Sequence, residues 1–352
     1  MAVRKKITRR KKILAVGLLL LFMAGAIASF LAYTIVFQPN LDLEGRKYVH
    51  FYIPTGSSFQ DVRDQLQSDG LIRNMRSFTF LAERKNYPNR VMPGRYRLHQ
   101  RMGNNELINL LRSGNQDPVM VTFNNIRTKE QLAGSLGSQL EADSLSILRL
   151  LNDSALLESY GKNPHTAPLL FLPNTYEFFW NASARQIMER MHREYQVFWN
   201  DSRIQKANEA GLSPVQAGIL ASIVERETSK VDEMARIAGV YINRLRRNMP
   251  LQADPTVVFA VGDFSITRVL NRHLAVDSPY NTYRYSGLPP GPISLPEPRV
   301  IDQVLQYENH NYLFFCAKDD FSGYHAFART YPEHLANARR YHQALNQRRI
   351  MD

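Results

Sequence analysis

Cysteine is nearly absent from this 352-residue chain. Cys316 stands alone, so no disulfide forms within one copy. It follows the apolar run YLFF and reads as packed core rather than as a nucleophile. The short signatures of several catalytic classes are also missing. The sequence holds no HExxH, CxxC or GxSxG, no Walker sequence and no GxGxxG. Its nine histidines form no tight ligand cluster, so neither a metal nor another cofactor is expected. Acid is missing from residues 1–12, MAVRKKITRRKK, which carry seven Lys and Arg. Without them the formal charge of +12 drops to +5 over the remaining 340 residues. The basicity is therefore largely a local tail, and nucleic acid is not expected as a partner.

Charge of either sign is missing from residues 13–37, ILAVGLLLLFMAGAIASFLAYTIVF. A membrane-spanning helix needs about 20 apolar residues. The basic flank predicts a cytoplasmic N-terminus with the bulk of the chain outside. A cleaved signal peptide is the alternative, with Ala26-Ile27-Ala28 as the cleavage motif. The apolar run continues well past that point, which favours a retained anchor.

After a polar link over 38–48, three segments read as a strand followed by a short helix. They start at KYVHFYIPTGSS, at GRYRLHQ and at VMVTFNN. Ser57 or Ser58 suits a cap for the first helix and Thr128 for the third. The pattern fits a weak internal repeat of small carbohydrate-binding modules, or ordinary α/β packing. Residues 138–205 look mainly helical, broken by PLLFLPNTYEFFWNAS. Its aromatics suit either a sugar groove or core. Helices are predicted over 213–228, 232–247 and 297–309, and again over 331–347. A long Gly-, Pro- and Tyr-rich segment separates the second from the third. NYLFFCAK and YHAFAR read as strands, the first of them buried. The class is α+β.

LSPVQAGILASIVERETSK begins with a capping box, Ser213 and Gln216, with Pro214 at the first helical position. At 100° per residue, Glu227 falls about 20° from Leu220, inside the apolar stripe, and Glu225 about 140° away, on the side of Gly218 and Ser222. Glu225 is thus the better surface candidate, while Glu227 stands where leucine is expected. A carboxyl there is paired, neutral or facing a cleft. Desolvation raises its pKa, as a general acid at neutral pH requires. The structural alternatives are burial against Arg244 or Arg236, or a frayed helix end. His325, in GYHAF, suits a substrate contact or a structural hydrogen bond.

The stretches LASIVERET, IAGVYINRL, MPLQADPTVVF, YNTY and GLPPGPI occur in this order, and through them the chain resembles the YceG-like endolytic murein transglycosylases. The resemblance runs from the anchor to the last helix. It implies a peptidoglycan lyase of the inner membrane that cuts between MurNAc and GlcNAc within nascent strands. The products would carry 1,6-anhydroMurNAc ends, and cleavage would terminate glycan elongation. It implies Glu227 as catalytic acid and a LysM-like subdomain in the N-terminal part of the outer region. Supporting positions are Glu233, Asn243, Gln252, Asp254, Asn281 and Tyr283. Each of these also has a structural reading, as a cap, a turn or a helix bridge. The expected organisation is a basic cytoplasmic tail (1–12), a single transmembrane helix (13–37), a linker (38–48), a LysM-like module (49–125), a mainly helical region (126–205) and a mixed helical and strand catalytic region (206–352). The expected partners are glycan strands, together with peptidoglycan synthases and the division or elongation machinery. A hydrolytic muramidase and a non-catalytic, membrane-anchored glycan-binding scaffold are the competing functions.

Overall fold

A computed structural model describes residues 2–347, with side chains from residue 11 onward. Of the basic segment 1–12, the first residue lies outside the described residues. Helix α1 (Ala2–Phe37) is continuous. Within it, Lys11–Phe37 is long and apolar enough to cross a membrane, at about 1.5 Å per residue. Its leucines and phenylalanines are exposed.

The chain divides into two compact units. The first runs to Val119 and includes Phe178–Asn181. After α1 it contains β1 (Tyr48–Ile53), α2 (Phe59–Ser68), α3 (Met75–Arg84), β2 (Gly94–His99) and α4 (Asn104–Ser113). Strands β1 and β2 pair antiparallel, with Phe51 opposite Tyr96 and Val49 opposite Leu98. The strand period of two sends Phe51 and Ile53 inward with Tyr96 and Leu98. There they meet Val62, Leu66, Phe78, Leu107 and Leu111 from the helices. Ser58 caps α2 through a capping box with Asp61. Within 38–48, Leu41 and Leu43 are buried in this core.

The second unit holds Met120–Glu177 and the chain from Ala182 onward. Its elements are β3 (Val119–Phe123), α5 (Lys129–Gly137), α6 (Ser144–Leu150), α7 (Ser154–Ser159), a 3₁₀ turn (Ala167–Leu170), β4 (Asn174–Phe178), α8 (Ala184–Phe198), α9 (Asp201–Ala210), α10 (Pro214–Glu227), α11 (Val231–Arg246), α12 (Asp254–Val261), α13 (Asn271–Leu274), α14 (Pro298–Leu305), β5 (Phe314–Ala317), β6 (His325–Ala328) and α15 (Tyr331–Gln347). Strand β3 pairs with β4, whereas β1 and β2 pair with each other. The third strand-and-helix segment thus belongs to a different strand pair from the first two. Thr128 caps α5, accepting from the Gln131 amide. The hairpin β5–β6 is antiparallel and half-buried, so NYLFFCAK is not the buried strand its composition predicts. Cys316 is likewise half-buried rather than sealed in core.

Helix α10 is the centre of the second unit. Every residue from Ala217 to Val224 is buried. Its small residues permit the close approach of neighbours. A Cβ on Gly218 would lie 2.9 Å from a Leu169 methyl, and one on Gly239 of α11 would lie 2.4 Å from the Glu308 carbonyl oxygen. The helix is covered on all sides over that stretch, and Glu225 just beyond it is half-buried rather than on the surface. Glu225 accepts the Glu297 amide at 3.1 Å and the Ser294 hydroxyl at 3.4 Å. Helix α14 is shorter than predicted, beginning at Pro298 and capped at Gln306.

Candidate active site

Glu227 is the last residue of α10. Thr228 turns the chain into extended backbone, and α11 starts three residues later. The connection is short, so α11 packs back against α10 and carries Tyr241 to the carboxyl group. The Tyr241 hydroxyl donates to Glu227 Oε1 at 2.6 Å. Tyr241 is itself buried, and its ring meets Phe315 edge-on.

Four influences set the ionisation of Glu227. Desolvation raises its pKa, and the nearby Asp254 charge adds to the rise. The Tyr241 hydrogen bond and the Arg244 guanidinium oppose it. The balance brings Glu227 from 4.5 up to about 7. A carboxyl poised there can give a proton at neutral pH and take one back. Phenylalanine at 241 removes the donor that favours the carboxylate. Tyr241→Phe is therefore expected to push the Glu227 pKa above 7, and Asp254→Asn to pull it below, both read by carboxyl-carbon NMR titration.

Glu227 lines a cavity of about 280 Å³, at the small end of ligand sites. Asp254, Arg127 and Arg226 line it too, and its apolar wall includes Val258, Phe259, Phe264 and Ile293. Asp254 opens α12, with Pro255 behind it, and its Oδ1 accepts the Tyr283 hydroxyl at 2.5 Å. Neither arginine weighed as a partner for Glu227 holds its carboxyl among the described residues. Arg236 bonds Glu308 at 2.8 Å. Arg244 donates to the Leu313 carbonyl at 2.6 Å and to the Leu251 carbonyl at 2.7 Å.

The remaining positions singled out from the sequence sit around this centre. Gln252 has φ of 51°, donates its amide to the Thr282 carbonyl at 3.1 Å, and receives Arg244 Nη1 at 3.5 Å on its side chain. Asn281 is buried and donates to the Leu274 and Val276 carbonyls at 2.9 and 2.8 Å, fixing the loop that carries Tyr283. Asn243 donates to the His310 carbonyl at 2.7 Å and the Tyr312 carbonyl at 3.1 Å, tying α11 to the segment before β5. Glu233 is buried and bonds the His325 amide at 3.0 Å and ring Nδ1 at 2.9 Å, closing α11 on β6. The structure thus brings Asp254 to the cavity with Glu227 and gives Asn243, Asn281 and Glu233 bonds that hold its frame.

Sequence reasoning passed over Tyr241, Arg127 and Arg226. Tyr241 stands in IAGVYINRL, two residues before Asn243. The usable signal was its spacing from Glu227 across a tight helix hairpin. Arg226 lies between the two glutamates. Arg127 comes from the turn before α5, roughly a hundred residues away, and no local pattern marks it.

The chain as a whole has relatives elsewhere. Residues 51–340 match the family model described as the YceG-like family. An endolytic murein transglycosylase of Bacillus subtilis strain 168 is 26% identical over 325 residues, covering 88% of this chain and 89% of that protein. One from Streptococcus pneumoniae strain R6 is 27% identical over 312 residues, 79% of this chain. The alignment spans only 55% of that streptococcal protein's length. A crystal structure of a protein described as YceG-like, from Listeria monocytogenes, superposes with a TM-score of 0.54 at 28% identity, covering 82% of this chain and 98% of that one. Across a match that takes in both the tyrosine-held carboxyl group and the loops around it, this chain belongs to the YceG-like family.

Proposed function

We propose that this protein is an endolytic lytic transglycosylase of peptidoglycan, cutting the MurNAc–GlcNAc bond within nascent strands. The observation that carries the reading is Glu227, held by Tyr241 in a ligand-sized cavity with its pKa raised to about 7. In its protonated form Glu227 protonates the glycosidic oxygen as the C1–O bond breaks. The resulting carboxylate accepts the proton of the MurNAc C6 hydroxyl as that oxygen bonds to C1. The product is a 1,6-anhydro ring, and the carboxyl returns to its starting state. The attacking hydroxyl is already attached to the sugar, so no second residue has to activate water, and proximity supplies part of the acceleration. Relatives named endolytic murein transglycosylases support the substrate and the reaction class.

The apolar helix Lys11–Phe37 supports anchorage in the cytoplasmic membrane. In this reading the N-terminus is cytoplasmic, the catalytic part lies outside in the periplasm, and cleavage ends glycan elongation beside the synthases and the division or elongation machinery. The order β1-α2-α3-β2 around an antiparallel strand pair supports a LysM-like module within 49–125, followed by the helical region 126–205 and the catalytic region 206–352.

A hydrolytic muramidase is the second reading, favoured by one observation. Asp254 offers a further carboxylate in the same cavity, and ordinary glycosidases use two. Product mass separates them. The full-length protein acting on uncrosslinked glycan is expected to release fragments one water lighter than hydrolysis products. Reducing ends alone would replace the transglycosylase reading with the muramidase. Binding without any cleavage would reject both in favour of a glycan-binding scaffold.

A further inference from the structure

Two cations in the Glu227 cavity have no part in that mechanism. Arg226 Nη2 donates to Asn125 Oδ1 at 3.0 Å, while its Nε is buried with no acceptor among the described residues. The Arg127 guanidinium lies over the Phe264 ring, 4.8 Å from its centre. The two repel: Arg127 helps burial to lower the Arg226 pKa. Glu225 draws the Arg226 pKa up, by less than burial and Arg127 bring it down. Asp254 is engaged by Tyr283, and Glu227 must be protonated to start the reaction. At that step the residues lining the cavity set two guanidinium groups against the single carboxylate of Asp254.

That excess is a liability where an oxocarbenium-like centre develops, since like charges in a sheltered site repel strongly. An anion brought by the substrate removes it. We propose that Arg127 and Arg226 form a subsite for a carboxylate carried on the muramyl side chain, next to the bond being cut. The proposal rests on the transglycosylase reading and adds a substrate requirement to it. Guanidinium groups suit the role because their planar donors match a carboxylate in pairs. The carboxylate has two chemical sources, the lactyl carboxyl of a peptide-free muramyl residue or an acidic residue of an attached stem peptide.

The test uses full-length protein in detergent carrying Glu227→Gln, so that bound glycan is not consumed. Four ligands of equal sugar length are titrated calorimetrically: neutral GlcNAc oligomers, peptide-free muramyl glycan, the same glycan with its lactyl carboxyl amidated, and peptide-bearing glycan. A carboxylate-bearing ligand is expected to bind about tenfold tighter than the neutral oligomer, the size of one charge-assisted contact. This preference ratio should collapse in Arg127→Gln/Arg226→Gln and survive in the paired Lys variants. Added salt should shrink it in the protein with both arginines intact, a reading that needs no arginine substitution. Preference for the peptide-free glycan, abolished by amidation, assigns the lactyl carboxyl. Preference confined to the peptide-bearing glycan assigns the stem. Equal binding of all four ligands overturns the subsite, as does a preference that persists in the double Gln variant or ignores salt. Product analysis on the wild type keeps the two ideas apart. Anhydro ends without carboxylate preference reject the subsite alone, and preference without anhydro ends rejects the transglycosylase reading alone.

Discussion

Glu227→Gln is expected to lower turnover of uncrosslinked glycan by at least about 10³-fold, toward the upper part of the range for losing a general acid. The amide keeps the size of the side chain and its place beside Tyr241, so the loss is chemical. It can neither protonate the glycosidic oxygen nor accept the C6 hydroxyl proton, and both half-steps fail together. The wild type should also show an alkaline limb. Glu227 is raised from 4.5 to about 7, so the proton-bearing form prevails below pH 7 and thins above it. kcat/KM should fall by about tenfold per pH unit beyond that point. A Gln variant within tenfold of wild type would remove Glu227 from the chemistry. A flat profile between pH 7 and 9 would remove its proton from the rate-limiting step.

The same substitution is expected to stabilise the fold, increasingly so as the medium becomes alkaline. In the unfolded chain Glu227 titrates near 4.5, and in the folded protein near 7. Folding thus favours the protonated group. The stability linked to it is fully present below 4.5, declines as pH rises between the two values, and is gone above 7. A separation of about 2.5 units corresponds to roughly 3 kcal/mol. Glutamine carries no charge to desolvate, so Glu227→Gln should gain up to about 3 kcal/mol over wild type at pH 8 and almost nothing at pH 4. Thermal melting of both proteins across that range measures it. A constant difference at every pH, or a loss at pH 8, would mean that Glu227 ionises in the fold as freely as in water. These two results together would mark Glu227 as a residue retained at a cost in stability.

What the sequence disclosed followed from local rules. Ser213, Pro214 and Gln216 fix the start of α10 through backbone donors that need a partner wherever the helix packs. The charge-free run from residue 13 announces α1 by length alone. Angular projection placed Glu227 among apolar residues but misjudged Glu225. A projection assumes one wet face, and α10 has none between Ala217 and Val224. The partners of the candidate site were less legible because they arrive from distant segments. Arg127 precedes α5, Asp254 opens α12, and Tyr283 follows a loop that Asn281 secures through backbone carbonyls. Asn243 and Asn281 carry the amides one expects around a sugar, yet their donors are spent on the protein's own carbonyls. Residue type alone cannot separate an amide that reads a ligand from one that ties two loops.

The phenol of Tyr241 bears on how protons travel. Burial and the adjacent Glu227 push its pKa well above the ordinary value for tyrosine, so it stays a donor throughout and never ionises to pass a proton inward. Glu227 lines the cavity, so in the proposed reaction a glycan seated there would stand between its carboxyl group and bulk water. The proton spent on the departing oxygen would then be replaced from the sugar itself, so that each turn of the proposed cycle would close its own acid inventory before the ends of the cut strand separate.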